Sequence, residues 1–300
     1  MNEYKEYNHY SVTRSWLYWK KKIAEHPELS NGYEFPQPIQ AWRTAMGNIC
    51  PICDGGNALV RDIGDGPEKI YCICSLLIFM HNNYYDLLGG ESPHKPAYLK
   101  DLKPLGIDPV ADGILLHTID HITNWLEELD SWIILLGPNG VGKTHMLRAI
   151  KTHLGSICAF ISADKFQQDL FSARNKDGQV EALVERLSKI PVLLLDDWGI
   201  EHESSWTTDT LASIINFRYS FSDALPTVVS SNLTMKDLMG TPDYARKRIA
   251  SRLLDSKIST VIELQGRDYR SKTTQNEMKA VKKKQYTPSS AKNMLDNYNG

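Results

Sequence analysis

Five short apolar runs punctuate the second half of the chain: Trp132–Leu136, Ile157–Ser162, Val192–Leu195, Thr227–Ser231 and Thr260–Leu264. Each is too short for a helix and nearly continuous in apolar residues, the pattern of strands buried on both faces. Between them the apolar positions recur at helical spacing, near Ala163–Ala173, Gln179–Ser188, Thr207–Ser220 and Asp243–Asp255. A further amphipathic helix, Ile114–Leu129, precedes the first strand, with Leu115, Ile119, Ile122, Trp125 and Leu126 on its apolar side. Alternation of buried strands with helices predicts a parallel sheet covered on both faces. No internal repeat is found.

The first half reads differently. Ser11–Glu25 has helical spacing, with Trp16, Trp19 and Ile23 on one face; these side chains either pack on a core or form a groove for a partner. Residues 89–112 are dense in Gly and Pro and read as a linker or an irregular docking segment. The expected division is therefore 1–88, an N-terminal helical and metal-binding region; 89–112, a linker; 113–272, the α/β core; and 273–300, a tail.

Between the first strand and the next helix stands Gly137-Pro138-Asn139-Gly140-Val141-Gly142-Lys143-Thr144. Strand, glycine turn and helix in this order make a phosphate-binding loop. The glycines let successive N–H groups turn inward toward an anion, and the helix opening near His145 adds its positive end. Lys143 supplies a point charge for the outer phosphates of a nucleoside triphosphate, and Thr144 a hydroxyl for Mg²⁺. The strand Val192–Leu195 runs into Asp196 and Asp197. At the carboxyl edge of such a sheet, Asp196 would hold Mg²⁺ and Asp197 would orient or deprotonate the attacking water. Asn232, after the strand Thr227–Ser231, would position that water. Arg248 and Arg252, one turn apart, form either a solvated basic face or a guanidinium supply for a neighbour's phosphate. Arg270 is a candidate for the chain's own nucleotide.

Composition narrows the setting. Of 300 residues, 42% are hydrophobic and 23% charged, as in an ordinary globular protein. A net charge of −2 gives no global pull toward nucleic acid, so such binding requires local patches. No secretory leader and no apolar run of membrane-spanning length is read, and a cytoplasmic location is expected. Four of the five cysteines form two close pairs, Cys50/Cys53 and Cys72/Cys74. They are read as a structural tetrahedral Zn²⁺ site, with His81 in reserve and buried free thiols as the alternative; Cys158 reads as core. From Gly266 to Gly300 there are eight Lys or Arg against three acids, either a solvated disordered tail or a phosphate-binding arm. The segment Phe166–Lys176, with Phe171 and Arg174, fits both plain packing and contact with single-stranded DNA.

The runs LLLDDWGIEHESSW, LPTVVSSNLTMKDL, RKRIASRLL and GRDYR, in that order, resemble the bacterial helicase-loader branch of the AAA+ ATPases, the DnaC/DnaI type, with IstB transposition helpers as cousins. The similarity covers about Ile114 to Lys272. It implies a five-stranded sheet of order 5-1-4-3-2 with no separate lid domain, and ATP at subunit interfaces. It further implies Asn232 as first sensor, Arg252 as trans-acting finger with Arg248 second, and Arg270 as second sensor. Asp197 stands where AAA+ proteins at large carry Glu, which implies slow, regulated hydrolysis. The cysteine cluster resembles the zinc module through which some loaders grip a helicase. The expected activity is ATP-dependent loading of a hexameric replicative helicase onto single-stranded DNA. The alternatives are an IstB-like helper that assembles on duplex DNA and recruits a transposase, and a nucleotide-gated zinc adaptor with little hydrolysis.

Overall fold

A computed structural model describes residues 9–25, 58–62, 67–72, 76, 96–199, 205–222, 225–271 and 273–278. Five parallel strands carry the core: β3 (Trp132–Leu136), β4 (Cys158–Ser162), β5 (Val192–Asp196), β6 (Thr227–Ser231) and β7 (Ser259–Glu263), after an N-terminal hairpin of β1 (Ala58–Asp62) and β2 (Pro67–Tyr71). Their order is β4-β5-β6-β3-β7. Numbered within the core sheet and read from the other edge, this is the expected 5-1-4-3-2, the order of an AAA+ P-loop domain. The three central strands β3, β5 and β6 are buried along their whole length, and β4 and β7, at the edges, are partly open.

The helices that flank the strands and precede them are α1 (His9–Glu25), α2 (Pro109–Glu128), α3 (Lys143–Leu154), α4 (Ala163–Ala173), α5 (Gln179–Lys189), α6 (Ser205–Tyr219), α7 (Met235–Gly240) and α8 (Tyr244–Leu253). Local chemistry fixes their starts. Asp108 accepts from the N–H groups of Val110 and Ala111, and Pro109 takes the first helical position, so α2 begins before its apolar periodicity does. Ser162 caps α4 and Asp243 caps α8, while Thr234 and Asp237 form a reciprocal capping box on α7. Among these helices α3 is the exception that matters for function. Its N-cap is Gly142 at φ 101°, which has no side chain to occupy the first-turn N–H groups.

The alternative left open for α1 resolves toward packing. Trp16 and Trp19 are 1% and 2% exposed, and Trp16 joins the main core. Lys20 reinforces the contact, donating to the Leu126 carbonyl and pairing with Glu127 at the end of α2. The described part of the Gly- and Pro-rich stretch, from residue 96 on, also packs: Leu99 and Leu102 lie against the core, and the Ala97 N–H donates to Thr152 of α3. Beyond β7, residues 273–278 are helical, with Thr274 buried.

Candidate nucleotide site

β3 delivers the chain to the glycine turn at the carboxyl edge of the sheet. Gly137, Gly140 and Gly142 have φ of 138°, 81° and 101°, a region L side chains disfavour. Space forbids a side chain as well. A Cβ on Gly137 would lie 2.3 Å from the Leu264 carbonyl oxygen, and one on Gly140 would lie 2.0 Å from Asp268 Oδ1. Val141 is buried beneath the turn, while Pro138 and Asn139 stand at its open tip. The His145 ring nitrogen Nε2 is 3.1 Å from the Tyr98 carbonyl, holding the start of α3 to the segment before α2.

Lys143 is 4% exposed and folds back over its own loop, donating to the carbonyls of Gly137 (2.6 Å) and Pro138 (2.8 Å) and to Asn232 Oδ1 (2.8 Å). Burial pulls its pKa below the usual lysine value, opposed by the charges of Asp197 and Asp196. Thr144 Oγ1 lies 3.2 Å from Asp196 Oδ1, which also accepts from Ser230 Oγ at 2.5 Å. Burial pushes the Asp196 carboxyl upward, the Ser230 hydrogen bond pulls it down, and the charge of Asp197 adds to the rise. Ser230 Oγ also accepts the Asp197 N–H at 3.0 Å, so one hydroxyl sets both acids. Asn232 Nδ2 reaches Asp197 Oδ1 at 3.4 Å. Asp197 itself sits at φ 56°, one of two non-glycine residues with positive φ among those described.

The loop after β7 roofs this cluster. The Tyr269 N–H donates to the Gly140 carbonyl, its hydroxyl donates to the Lys103 carbonyl, and Asp268 grips Arg270 through two hydrogen bonds of 3.0 and 3.1 Å. That grip holds the Asp268 carboxyl below the usual range and raises Arg270. Arg270 is close enough to interact electrostatically with both Lys143 and Asp197. The structure thus brings together every predicted nucleotide residue except Arg252.

Arg252 lies elsewhere. It stacks on Tyr219, which packs edge-on against Trp132 at the beginning of β3. This is the amino edge of the sheet, and a five-residue strand separates it from the phosphate loop by about 13 Å. Its printed contacts, with Tyr219 and the Arg248 carbonyl, lie at that edge and include no residue of its own chain's phosphate loop. Sequence reasoning missed Ser230, Asp268 and Tyr219; of these only Ser230 left a local trace, as a small polar residue ending an apolar strand.

Of the predicted zinc ligands, Cys50, Cys53 and Cys74, like His81, lie outside the described residues. Cys72 is fully buried, and no metal-binding cluster occurs among the described residues. The hairpin of β1 and β2 pairs Ala58 with Tyr71, so the chain re-enters beside its starting point immediately before Cys72. Cys158 is core as expected, its thiol pushed up to about 12 by burial. No helix among the described residues is long and apolar enough to cross a membrane.

Sheet order, glycine turn, buried lysine and paired acids together define an ATP-binding P-loop domain of the AAA+ class. Residues 112–277 match the family described as IstB-like ATP binding protein, and the chain belongs to it. It is 28% identical over 146 residues to the replicative helicase loader DnaI of Bacillus subtilis (strain 168), covering 46% of each chain. It is 29% identical over 213 residues to the phage-like element PBSX protein XkdC of the same organism, covering 67% of this chain and 77% of that one. It is 28% identical over 145 residues to the insertion sequence IS21 putative ATP-binding protein of Pseudomonas aeruginosa, covering 47% and 52%. The chain thus spans about half the length of two of these curated relatives.

Proposed function

We propose that this protein is an ATP-dependent loader that binds a hexameric replicative helicase and single-stranded DNA, working as an assembly of its own copies. The observation that carries the reading is the split of the machinery across the sheet: phosphate loop, acids and Asn232 at one edge, Arg252 at the other. A guanidinium held that far from its own phosphate loop serves a neighbour's nucleotide or none.

In this reading residues 113–272 form the ATPase core, and residues 1–88 the partner-gripping region, joined by 89–112. The N–H groups of Gly140 to Thr144 cradle the phosphates, and Lys143 leaves its loop carbonyls to meet them. Thr144 and Asp196 are hard oxygen donors 3.2 Å apart, a fit for Mg²⁺, which when bound neutralises charge on the transferred phosphoryl group. Asp197 and Asn232, already paired, orient the attacking water. Arg270 contacts the outer phosphate from the same subunit, and Arg252 from the next. Hydrolysis then resets the assembly. Cys50, Cys53, Cys72 and Cys74 would hold a structural Zn²⁺.

The membership of the IstB-like family supports a second reading, a helper that assembles on duplex DNA and recruits a transposase. Co-purification with the replicative helicase of the source organism, with ATP and without nucleotide, separates the two. A complex that is lost in a Cys50→Ser variant which still binds ATP supports the loader; no complex in either condition, with ATP-dependent binding to duplex DNA instead, overturns it. Lys143→Ala serves as the control and should lose ATP binding altogether.

A further inference from the structure

The trans-acting role proposed for Arg252 requires a long, flexible side chain to be pre-set. A guanidinium free to sample its rotamers would forfeit much of what it contributes at a neighbour's phosphate. The surroundings of Arg252 are built against that freedom. Its guanidinium carbon lies 5.5 Å from the centre of the Tyr219 ring, a cation–π contact, and Nη1 donates to the Arg248 carbonyl at 2.9 Å. Its Nε is buried and has no hydrogen-bond partner among the described residues. A buried donor without a partner is costly, so the geometry is imposed by the packing around it and not by the hydrogen bonds it makes.

Tyr219, in turn, is fixed from two sides. Its ring meets Trp132 edge-on with centroids 6.5 Å apart, and its hydroxyl donates to Asp255 Oδ2 at 2.6 Å. Asp255 is itself locked: Oδ1 accepts the Lys257 N–H, and its carbonyl accepts the N–H groups of Ile258 and Ser259 as the chain enters β7. Donation to a carboxylate also pushes electron density into the phenol ring, strengthening the face on which the guanidinium rests. The chain of contacts therefore runs from the sheet, through Asp255 and Tyr219, to Arg252.

We propose that Tyr219 is a positioning residue for Arg252, holding the guanidinium over its ring so that its remaining N–H groups face the γ-phosphate bound by a second copy of this chain. The inference rests on the trans-acting reading given above, and adds a residue that touches neither nucleotide nor metal.

Steady-state ATPase of the full-length chain tests it, with nucleotide affinity measured separately by titration of a fluorescent ATP analogue. Tyr219→Leu, which removes the ring face, should lower kcat about tenfold, and Tyr219→Phe, which keeps the face but loses the anchor, about threefold. KM and analogue affinity should stay unchanged in both, because the chain's own phosphate loop is untouched. The double variant Tyr219→Leu/Arg252→Ala should be no slower than Arg252→Ala alone. If Arg252→Ala is slow but Tyr219→Leu turns over at the wild-type rate, the positioning role is wrong while the trans-acting reading stands. If the double variant is slower than Arg252→Ala, Tyr219 acts through the fold at large and the proposal fails. If Arg252→Ala itself is fully active, the trans-acting reading falls first. Should Tyr219→Leu not fold, the same cycle run with Tyr219→Phe decides.

Discussion

Replacing Arg218 with Met probes the part of the core that holds β5 and β6 in place. Arg218, near the end of α6, is completely buried. Its Nε donates to Thr227 Oγ1, Nη1 to the carbonyls of Leu187, Ser188 and Ile190, and Nη2 to those of Pro191 and Pro226. These carbonyls form the C-terminal end of α5, which favours a cation, and the entries to β5 and β6. Met fills most of the volume and relieves the cost of burying a charge. It also leaves a ring of inward-facing carbonyls without donors, at about 1–3 kcal/mol for each that cannot find water. For a guanidinium serving so many acceptors, the second effect should win by about 3 kcal/mol, in line with the loss seen when one side of a buried charged network is removed. Lys, with one ammonium in place of a planar fork, should recover about half of that. Urea unfolding followed by circular dichroism measures it. With a slope of about 2 kcal/mol/M, the Met variant's midpoint should fall by about 1.5 M with the slope unchanged. A midpoint equal to or above wild type would show that desolvation of the guanidinium outweighs its hydrogen bonds, and the reasoning would be refuted.

Three further variants test the nucleotide site and the cysteine cluster. Asp196 has its folded-state pKa raised, so the fold favours its neutral form, and stability is lost as pH rises from the unfolded value through the folded one; Asp196→Asn should therefore raise the melting temperature of the nucleotide-free protein at neutral pH. The same variant should lose the extra stabilisation that Mg²⁺ adds to ATP, which calorimetry with and without the metal will show, and a retained metal increment would exclude Asp196 as its holder. Gly140→Ala, which forces a side chain into Asp268, should weaken ATP binding at least tenfold in the same titration, whereas wild-type affinity would mean the roof loop yields freely. Cys50→Ser should reduce the zinc content of the purified protein while leaving nucleotide binding intact; an unchanged metal content by elemental analysis would reject the ligand set.

Much of this architecture is written locally. Trp132–Leu136, Thr227–Ser231 and Ala163–Ala173 form the elements their patterns predict, because a buried strand and an amphipathic helix each declare themselves within a few residues. The phosphate loop was legible for the same reason: its chemistry is confined to one turn. Elements too short for a period escaped, although Thr234 and Asp237 of α7 carry a capping signature three residues apart. The hairpin of β1 and β2 escaped because the cysteines around it drew the reading toward ligands and away from strands. What no local pattern holds is the set of links across the fold. Ser230 meets Asp196 across two strands, Asp268 meets Gly140 across most of the core, and Tyr219 finds Arg252 through the approach of two helices.

The turn at Asp197 carries one more implication, for how this site can evolve. A backbone at φ 56° is adopted most readily by glycine and by short side chains such as Asp and Asn, and costs most other residues strain. Glu would add reach toward a water but is poorly suited to such a backbone. Under the role proposed for Asp197, a longer acid here would carry a conformational cost of its own, in the turn that the Ser230 hydroxyl helps to hold. Lineages that keep Ser230 should keep a short residue beside it, and lineages that gain Glu should show the hydroxyl replaced as well.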